Sequence, residues 1–296
     1  MSAAITVVVV TRNRRPQLSQ TLLRVRNLPE RPPVVVVDNG SGDGTADEVR
    51  RSGAVLIRCE RNLGAAGRTL GVRAARTPYV AFCDDDSWWA PGSLPRAVER
   101  FAGEHRLGLL AARVVVEPGG TDDPICAQLA AGPYSPAGRR IMGFLACGAV
   151  VRRSAYLGVG GFHPQFGVGG EEDLLALDLT VHGWWCCYAP ELVAHHAPTS
   201  TPRGTARRRR EARNALWTAW LRRRPAGLLR RTSAVLRAGW RDPQTWVGTG
   251  AAVAGLPWVL AQRRPVDTAT ESLRSYCEAL PIPLAACSPA WRRGGR

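Results

Sequence analysis

Four short apolar runs separated by helix-like segments constrain the fold of the first half of the chain most strongly. Each run is rich in β-branched residues and lacks alternating polar positions, as is typical of strands buried on both faces of a parallel sheet. Helix signals fill the intervals, as at residues 17–25 after Pro16. This alternation predicts the α/β class, with a mixed, mostly parallel sheet flanked by helices. The predicted strands are Ile5–Thr11, Val34–Asp38, Val55–Arg58 and residues 79–83.

Polar side chains stand where three of these strands end. Thr11, Asp38 and Asp84 each close or directly follow an apolar run. In an open α/β sheet, ligands bind beyond the carboxyl ends of the strands. We therefore expect the three side chains to converge on one edge of the sheet and to mark a binding site there.

Three consecutive aspartates, Asp84, Asp85 and Asp86, form the most informative motif. Neighbouring carboxylates repel one another, and a divalent cation relieves that repulsion most directly. Hard oxygen ligands of this kind suit Mg²⁺ or Mn²⁺. An acidic turn or a helix cap is the alternative, because Asp is common at both. The motif predicts a cation site at the strand end, and the motifs that follow favour that interpretation.

The positive charge of the chain comes from arginine alone. The formal net charge is +16, and all 40 basic residues are Arg. The lack of Lys suggests a coding bias as much as selection, so the charge does not by itself predict nucleic acid binding, and we expect none. Thirteen arginines lie between residues 203 and 241, with one acid, Glu211. The eight cysteines form no Cys-x-x-Cys pair, which argues against zinc and fits a reducing cytoplasm.

The second half of the chain is expected to complete the sheet and then to change character. Beyond residue 202 the composition becomes Arg-rich with helical patterns. We therefore predict one domain at 1–202 and a mostly helical region at 203–296. Ahead of that boundary, the predicted elements are strands at Leu107–Val116, 148–152 and 184–188, a loop at 117–140 and a short helix at 172–181.

A series of motifs resembles those of the inverting glycosyltransferases of family 2. The resemblance covers about residues 4–200 and implies a GT-A fold and a nucleotide-diphosphate sugar donor. Within the family the chain resembles bacterial rhamnosyl- and galactofuranosyltransferases, and the basic segment that follows looks like that of bacterial members. In chain order the motifs are VVVVTRNR, VVVVDNGSGDGT, NLGAAGRTLGVRAA, YVAFCDDDSWWAPGSL, GGF, GEEDLLALDLTVHGWWCCYAPE and AHH.

The resemblance gives each polar strand end a role in donor binding. Small residues at 64–67 let the backbone approach a ligand, and the arginine beside them can reach a base or diphosphate. A cation, Mn²⁺ or Mg²⁺, is implied because the leaving diphosphate develops negative charge. The implied donor-binding residues are Thr11, Asp38, Arg68, Asp84 and Asp85, and the implied cation ligands are Asp86, Asp84 and one of His195 and His196. Adjacent side chains of a strand point to opposite faces, so only one histidine is expected to enter the site.

A run of three acids supplies the implied catalytic base. Asp173 is assigned to remove the proton from the acceptor hydroxyl, with Glu172 as the second candidate. Glu171 is expected to be a supporting or solvated acid. The competing interpretation is that acids in a first helical turn only stabilise the helix dipole.

Two interpretations of the basic tail stay open. Leu216, Trp217, Trp220 and Leu221 share one helical face with arginines around it, which is typical of a helix lying on an anionic membrane. The same face could instead pack on the catalytic domain. The longest uncharged stretch, residues 246–260, is short of the roughly 20 residues a spanning helix needs. The first residues are interpreted as a strand rather than a signal peptide.

We expect a metal-dependent inverting transferase that moves a sugar from a UDP- or dTDP-linked donor to a hydroxyl of a glycolipid, polysaccharide or natural-product acceptor. It is expected in the cytoplasm, in peripheral contact with the inner face of the membrane. One alternative is a nucleotidyltransferase, although VVVVTRNRRP lacks the glycine-rich loop typical of that class. Another is a non-catalytic basic protein on the same scaffold, which the intact DDD and EED motifs disfavour.

Overall fold

The computed structural model describes residues 3–198 and 204–280. Within these ranges eleven strands form one sheet, which confirms the predicted α/β class. The strands are β1 (Ile5–Thr11), β2 (Val34–Asp38), β3 (Val55–Arg58), β4 (Tyr79–Asp84), β5 (Ser87–Trp89), β6 (Leu107–Val116), β7 (Thr121–Asp122), β8 (Tyr134–Ser135), β9 (Gly138–Arg140), β10 (Ala149–Arg152) and β11 (Trp185–His196).

Helices cover the sheet and continue beyond it. The first half alternates strand and helix as predicted, and the last five helices follow the sheet. The helices are α1 (Arg15–Arg26), α2 (Thr45–Ser52), α3 (Gly67–Ala74), α4 (Ser93–Gly103), α5 (Ile125–Ala130), α6 (Arg153–Gly158), α7 (Glu171–Val181), α8 (Thr205–Arg222), α9 (Pro225–Gly239), α10 (Pro243–Ala254), α11 (Leu256–Ala261) and α12 (Thr268–Ala279).

The sheet is mixed, with most of its long strands running in one direction. Its order is β3-β2-β1-β4-β10-β6-β11-β9-β8, and β5 and β7 pair with β11 and β6. Strands β1, β2, β3 and β4 are mutually parallel, β10 runs against them, and β6 and β11 resume their direction. The register places Thr11 opposite Asp38 and Val10 opposite Asp84. The polar strand ends therefore meet at one edge.

Each face of the sheet has its own apolar core. Val7 and Val9 of β1 are fully buried in one core, and Val8 is fully buried in the other, as the two-residue period of a strand requires. Helices α1 and α4 cover the first core, and α3, α6 and α7 cover the second. Burial on both faces explains why the first strands lack alternating polar residues.

Two expectations about the second half were wrong in detail. The predicted loop at 117–140 contains β7, α5, β8 and β9, and the short helix α5 buries Cys126 and Leu129 in the second core. The strand predicted at 184–188 continues to His196, because it pairs with β6 on both sides of an irregularity between Ala189 and Val193. Its extension carries both histidines to the edge where the aspartates lie.

The C-terminal helices pack on the sheet region through α7 and the loop before it. Leu216, Trp217 and Leu221 of α8 are buried in one cluster with Phe166 and Leu174. The tail face that could have lain on a membrane is therefore covered by protein, which supports the packing alternative for that face. In the described part of the chain, no helix is both long and apolar enough to cross a bilayer. The division at residue 202 stays a prediction.

Candidate active site

The aspartate motif lies at the carboxyl edge of the sheet, and two arginines from different elements counter its charge. Arg68 of α3 is 6% exposed and forms an ion pair with Asp84. Arg14, before α1, contacts the next two aspartates, with 2.7 Å from its Nε to Asp85 Oδ1 and 2.6 Å from its Nη2 to Asp86 Oδ2. Arg68 was predicted from the sequence to lie in the site, whereas Arg14 was not. The repulsion expected among the three carboxylates is therefore relieved by these side chains.

Asp85 is the buried member of the motif. Its Oδ2 accepts a 2.9 Å hydrogen bond from the Thr11 hydroxyl, and its backbone carbonyl accepts one from Thr21. Burial raises the pKa of Asp85 to about 7, against the opposing effects of Arg14 and Thr11. Thr11 thus lies at the site edge as predicted, and its hydroxyl is directed at the aspartate motif.

The two histidines of β11 have different surroundings. Pairing of β11 with β5 places His196 opposite Ser87, with its Nε2 3.5 Å from Asp86 Oδ1. Burial opposes protonation of His196, but the hydrogen bond and charge of Asp86 raise its pKa overall. His195 points to the other face, where it stacks on Trp88 and its Nδ1 lies 2.9 Å from Glu117 Oε1. His196 is therefore the histidine that faces the aspartate motif.

Asp86 and His196 suit a cation that is held jointly with a ligand. Across residues 3–198 and 204–280, no three His, Cys, Asp or Glu side chains are grouped as a complete protein-only metal set. Mg²⁺ is commonly held by one or two carboxylates together with substrate phosphates and water, and imidazole is a ligand for related metals. The adjacent oxygen of Asp86 and nitrogen of His196 fit that kind of incomplete site, with Asp84 close in sequence.

Beside the aspartate motif, β2 ends in Asp38, a buried acid whose hydrogen-bonding capacity is only partly used. Asp38 is fully buried, and its Oδ1 accepts a 2.9 Å hydrogen bond from the Ser41 backbone. Among the residues that the structure describes, its Oδ2 has no hydrogen-bond partner, and Arg58 forms a long ion pair with it at 3.9 Å. A buried carboxylate oxygen without a partner is costly, so it calls for a ligand donor such as a base N–H or a ribose hydroxyl.

The small residues after β3 let two loops touch. Gly64 has φ +58, and a Cβ built there would lie 2.8 Å from Gly167 Cα. The Ala65 amide donates a 3.0 Å hydrogen bond to the Gly167 carbonyl, while Asn39 donates to the Gly64 carbonyl. The segment that carries Arg68 is thereby fixed against the loop that leads into α7.

The three acids of α7 lie in different environments. Glu171 is 2% exposed and accepts a hydrogen bond from the Gly169 backbone. Burial raises the pKa of Glu171, and burial reinforced by the charge of Glu171 raises the pKa of Glu172 well above its ordinary value. The positive charge of Arg68 opposes both pKa shifts, so these two acids lie within reach of the charge of Arg68. Of the two roles expected for Glu171, a supporting or a solvated acid, its burial excludes the solvated one.

Asp173 is engaged by a residue that sequence analysis missed. Its Oδ2 lies 2.6 Å from Nη2 of Arg274 on α12, and Arg274 also donates to the Met142 carbonyl. Glu278 lies 3.0 Å from Nε of the same arginine. Arg274 is 101 residues away in the chain, and no motif or period links it to Asp173. The C-terminal region thus contributes directly to the surroundings of one candidate base.

The fold and the site define a glycosyltransferase of the GT-A class. A family model described as "Glycosyl transferase family 2" matches residues 6–156. The chain is 30% identical over 247 residues to the N-acetylglucosaminyl-diphospho-decaprenol L-rhamnosyltransferase of Mycobacterium tuberculosis, covering 70% of this chain and 80% of that protein. The chain belongs to glycosyl transferase family 2, as the motifs indicated, and this enzyme class displaces the two alternatives raised from the sequence.

Solved structures agree on the fold. The mannosyltransferase PcManGT from Pyrobaculum calidifontis, in complex with GDP-Man and Mn²⁺, aligns with a TM-score of 0.63 at 22% identity, over 100% of this chain and 84% of that one. GalNAc-T7 with UDP, GalNAc and Mn²⁺ aligns with a TM-score of 0.58 at 13% identity, over 95% of this chain and 55% of that one. At these identities the likeness concerns the fold.

Replacement of Gly64 by alanine tests the contact between the two loops. Gly53 also has a positive φ, +76, but a Cβ there meets nothing within 4 Å. Gly64→Ala and Gly53→Ala should each lose about 1 kcal/mol from the backbone, and Gly64→Ala should lose about 1–2 kcal/mol more from overlap with Gly167. Urea unfolding of both variants measures the difference. Equal destabilisation would contradict the close contact.

Proposed function

We propose that the protein transfers an L-rhamnosyl unit from a nucleoside-diphosphate donor, UDP- or dTDP-linked, to a hydroxyl of a polyprenyl-diphosphate-linked sugar. The reaction would run in the cytoplasm at the inner face of the membrane. Family membership supports sugar transfer, and the mycobacterial rhamnosyltransferase suggests the sugar and the acceptor class. The observation that carries the donor proposal is buried Asp38, whose Oδ2 has no hydrogen-bond partner in the described part of the chain. It lies beside the aspartate motif, which is paired with Arg68.

The donor would lie across the carboxyl edge of the sheet. Asp38 would accept a hydrogen bond from the base or the ribose, and Arg68 would face the diphosphate or the sugar from within the cleft. The buried Nε of Arg68 has no hydrogen-bond partner within residues 3–198 and 204–280, which leaves a donor for the ligand. Asp84 and Asp85 would hold the ribose or the sugar, with Thr11 fixing the Asp85 carboxylate at 2.9 Å. These side chains position the donor and exclude water from it.

A divalent cation, Mn²⁺ or Mg²⁺, would be held by Asp86 and His196, with Asp84 next to them. Bound there, it would stabilise the negative charge that develops on the leaving diphosphate. The Nη2 of Arg14 lies 2.6 Å from Asp86 Oδ2, and this ion pair would hold the carboxylate in place beside the site. The chain would thus supply both the cation ligands and, in Arg14, a side chain that orients one of them, Asp86.

The contacts of α7 favour Glu172 over Asp173 as general base. A catalytic base works best when its pKa is near the working pH, and burial with Glu171 nearby shifts Glu172 in that direction. Asp173 instead directs its Oδ2 at Arg274 Nη2, 2.6 Å away, so this oxygen is already engaged by a cationic donor. Asp173 then acts as a positioning residue that ties α7 to α12.

A single displacement follows from this arrangement. The acceptor hydroxyl oxygen attacks the anomeric carbon from the face opposite the diphosphate, and its proton passes to the Glu172 carboxylate. The bond between the anomeric carbon and the phosphate oxygen breaks, and its electron pair leaves with the nucleoside diphosphate. Because attack and departure occur on opposite faces, the configuration at the anomeric carbon is inverted.

Conservative variants of the two acids test the function and the base together. With dTDP-rhamnose and a short polyprenyl-diphosphate acceptor, the wild-type protein should release a nucleoside diphosphate and no pyrophosphate. Glu172→Gln should lower kcat by about 10²–10⁴-fold and leave donor affinity nearly unchanged, as loss of a general base does. Asp173→Asn should affect thermal stability more than kcat, because it weakens the Arg274 ion pair. A stable Asp173→Asn variant without turnover, beside an active Glu172→Gln variant, would reverse the two roles.

The pH dependence of kcat gives a second test of Glu172. Its pKa is raised from 4.5 by burial and by Glu171, and it must be ionised to accept a proton. Turnover should therefore fall as the pH is lowered through this raised pKa. A Glu with the ordinary pKa would stay ionised, and the enzyme would stay active, to lower pH. The acid limb of a kcat–pH profile at saturating donor should lie above pH 4.5 and disappear in Glu172→Gln. A wild-type profile flat down to pH 4.5 would contradict the assignment.

A further inference from the structure

The C-terminal helices present an exposed apolar surface far from their packed side. Five large apolar side chains protrude from the end of α9 and from α10 and α11. We call this set the Trp240 face. Its members and their exposed fractions are Trp240 84%, Trp246 43%, Val247 50%, Val253 52% and Leu260 64%. Exposure of large apolar side chains to water is unfavourable, and an apolar patch of this kind indicates an interaction site.

The packing of α10 explains why this face points outward. A Cβ on Gly248 would overlap the Arg209 carbonyl of α8, and the Ala252 carbonyl accepts a 3.0 Å hydrogen bond from Trp217. One side of α10 is thus pressed against α8. Its opposite side has apolar residues at helical spacing, and residues 243–254 include no charged side chain. Helix α10 therefore has two apolar sides: the inner side packs in the protein core, and the outer side belongs to the Trp240 face.

Two exposed tryptophans form the most prominent part of the Trp240 face. The rings of Trp240 and Trp246 lie 6.2 Å apart at 89°, in an edge-to-face arrangement. They therefore form one projecting unit, while the described contacts place Trp246 against Gly239 at its base. A projecting indole pair does not form a groove for a peptide. Indole rings favour the boundary between hydrocarbon and headgroups, where the apolar body is buried and the N–H stays wet.

Arginines flank the Trp240 face at both ends. Arg237 and Arg241 stand beside Trp240, Arg264 follows α11, and all three are exposed. None of them forms an ion pair with a carboxylate in the ranges 3–198 and 204–280. The nearby acid, Asp242, is occupied by Arg208 at 3.2 Å and by the Gln244 amide. The charge at the rim is therefore positive and uncompensated.

We propose that the Trp240 face is a docking surface for an anionic lipid bilayer, with α10 lying in the plane of the interface. Apolar side chains with tryptophan on one side and unpaired arginines at the rim match the two attractions of such a surface, burial and charge. Residues 243–254 are too few to span the bilayer, so the contact is peripheral. Its purpose, access to a polyprenyl-linked acceptor, rests on the proposed function. The contact itself follows from the surface alone.

This location differs from the one that the sequence suggested. The face of Leu216, Trp217 and Leu221 is buried against Phe166 and Leu174, so it cannot meet lipid in the folded protein. The Trp240 face lies one helix layer further out, on the side of α10 away from α8. The arginine-rich composition of the tail thus serves an outer surface, while its inner apolar residues build the core.

Vesicle flotation tests the docking surface without donor or acceptor. Vesicles of phosphatidylglycerol and phosphatidylcholine should bind the full chain, and vesicles of phosphatidylcholine alone should bind it less. Trp240→Ser combined with Trp246→Ser should weaken binding by about tenfold or more, because two interfacial anchors are lost. Tyr134→Ser, at a 77% exposed aromatic residue outside the face, is the matched control and should bind as wild type.

The charge at the rim is tested in the same assay. Arg237→Gln with Arg241→Gln should weaken binding to anionic vesicles by about tenfold and reduce its dependence on salt, since each basic residue near an anionic surface adds attraction. Arg26→Gln, an exposed arginine on α1, is the control. Circular dichroism of each variant confirms that it is folded. Trp240→Ser alone serves where the double variant unfolds, since Trp240 is the more exposed ring.

The outcomes separate this proposal from the proposed function. Equal binding of the wild type and the tryptophan variants to anionic vesicles would overturn the docking surface. So would a concentration-dependent dimer that the same variants dissociate without any vesicle binding, because the occupant would then be a second copy of the chain. Activity with a water-soluble acceptor should be unchanged in the tryptophan variants. Lack of this activity in the wild type would contradict the proposed function and would not affect the conclusion from the vesicle assay.

Discussion

The structure depends on how three adjacent carboxylates are tolerated at the end of a buried strand. Asp84 and Asp86 project from the edge and Asp85 is buried behind them, so water alone cannot relieve their repulsion. Arg68 and Arg14 do so from two separate elements, the start of α3 and the loop before α1. Both arginines come from segments that follow strands β1 and β3. The charge balance of the site therefore depends on the strand order, which brings the segments after β1 and β3 to the edge where the aspartates lie.

A second coupling runs from this edge to the C-terminal helices. Gly64 and Gly167 touch, so the segment that holds Arg68 rests on the loop before α7. Asn214 of α8 donates to the Phe166 and Gly169 carbonyls of that loop at 3.0 and 2.7 Å. Arg274 of α12 holds Asp173 from the other side. The first turn of α7 is thus held by the segment before Arg68 and by helices α8 and α12. These contacts fix the positions of the two candidate bases, Glu172 and Asp173.

Much of this architecture could be read from the chain before the structure. The strands β1, β2 and β3 have their predicted bounds, because uninterrupted β-branched runs ending in polar residues leave little choice. The alignment of Thr11, Asp38 and Asp84 also followed from the topology of a parallel sheet. Which histidine faces the site could not be predicted. The two-residue period of a strand indicates that only one of His195 and His196 enters, and the pairing of β11 with β5 determines that it is His196.

Other features depend on contacts that are remote in sequence. Arg274 reaches Asp173 across 101 residues, and no local pattern announces it. The apolar face of α8 suits lipid or protein equally by composition, and only Phe166 and Leu174 settle that protein covers it. Helix α5 was missed because glycine and proline surround it, although Cys126 and Leu129 gain enough burial to order it. Local propensity was overridden there by tertiary packing.

The measurement that tests the central claim most directly is calorimetric titration of dTDP and UDP into the protein, with and without Mn²⁺. We predict that Mn²⁺ strengthens binding of at least one of them by about tenfold or more, as a cation shared between protein and diphosphate does. That gain should vanish in Asp86→Ala and persist in Asp47→Ala, an exposed acid on α2. Binding that ignores Mn²⁺ in every variant, or no binding of either nucleotide, would contradict it.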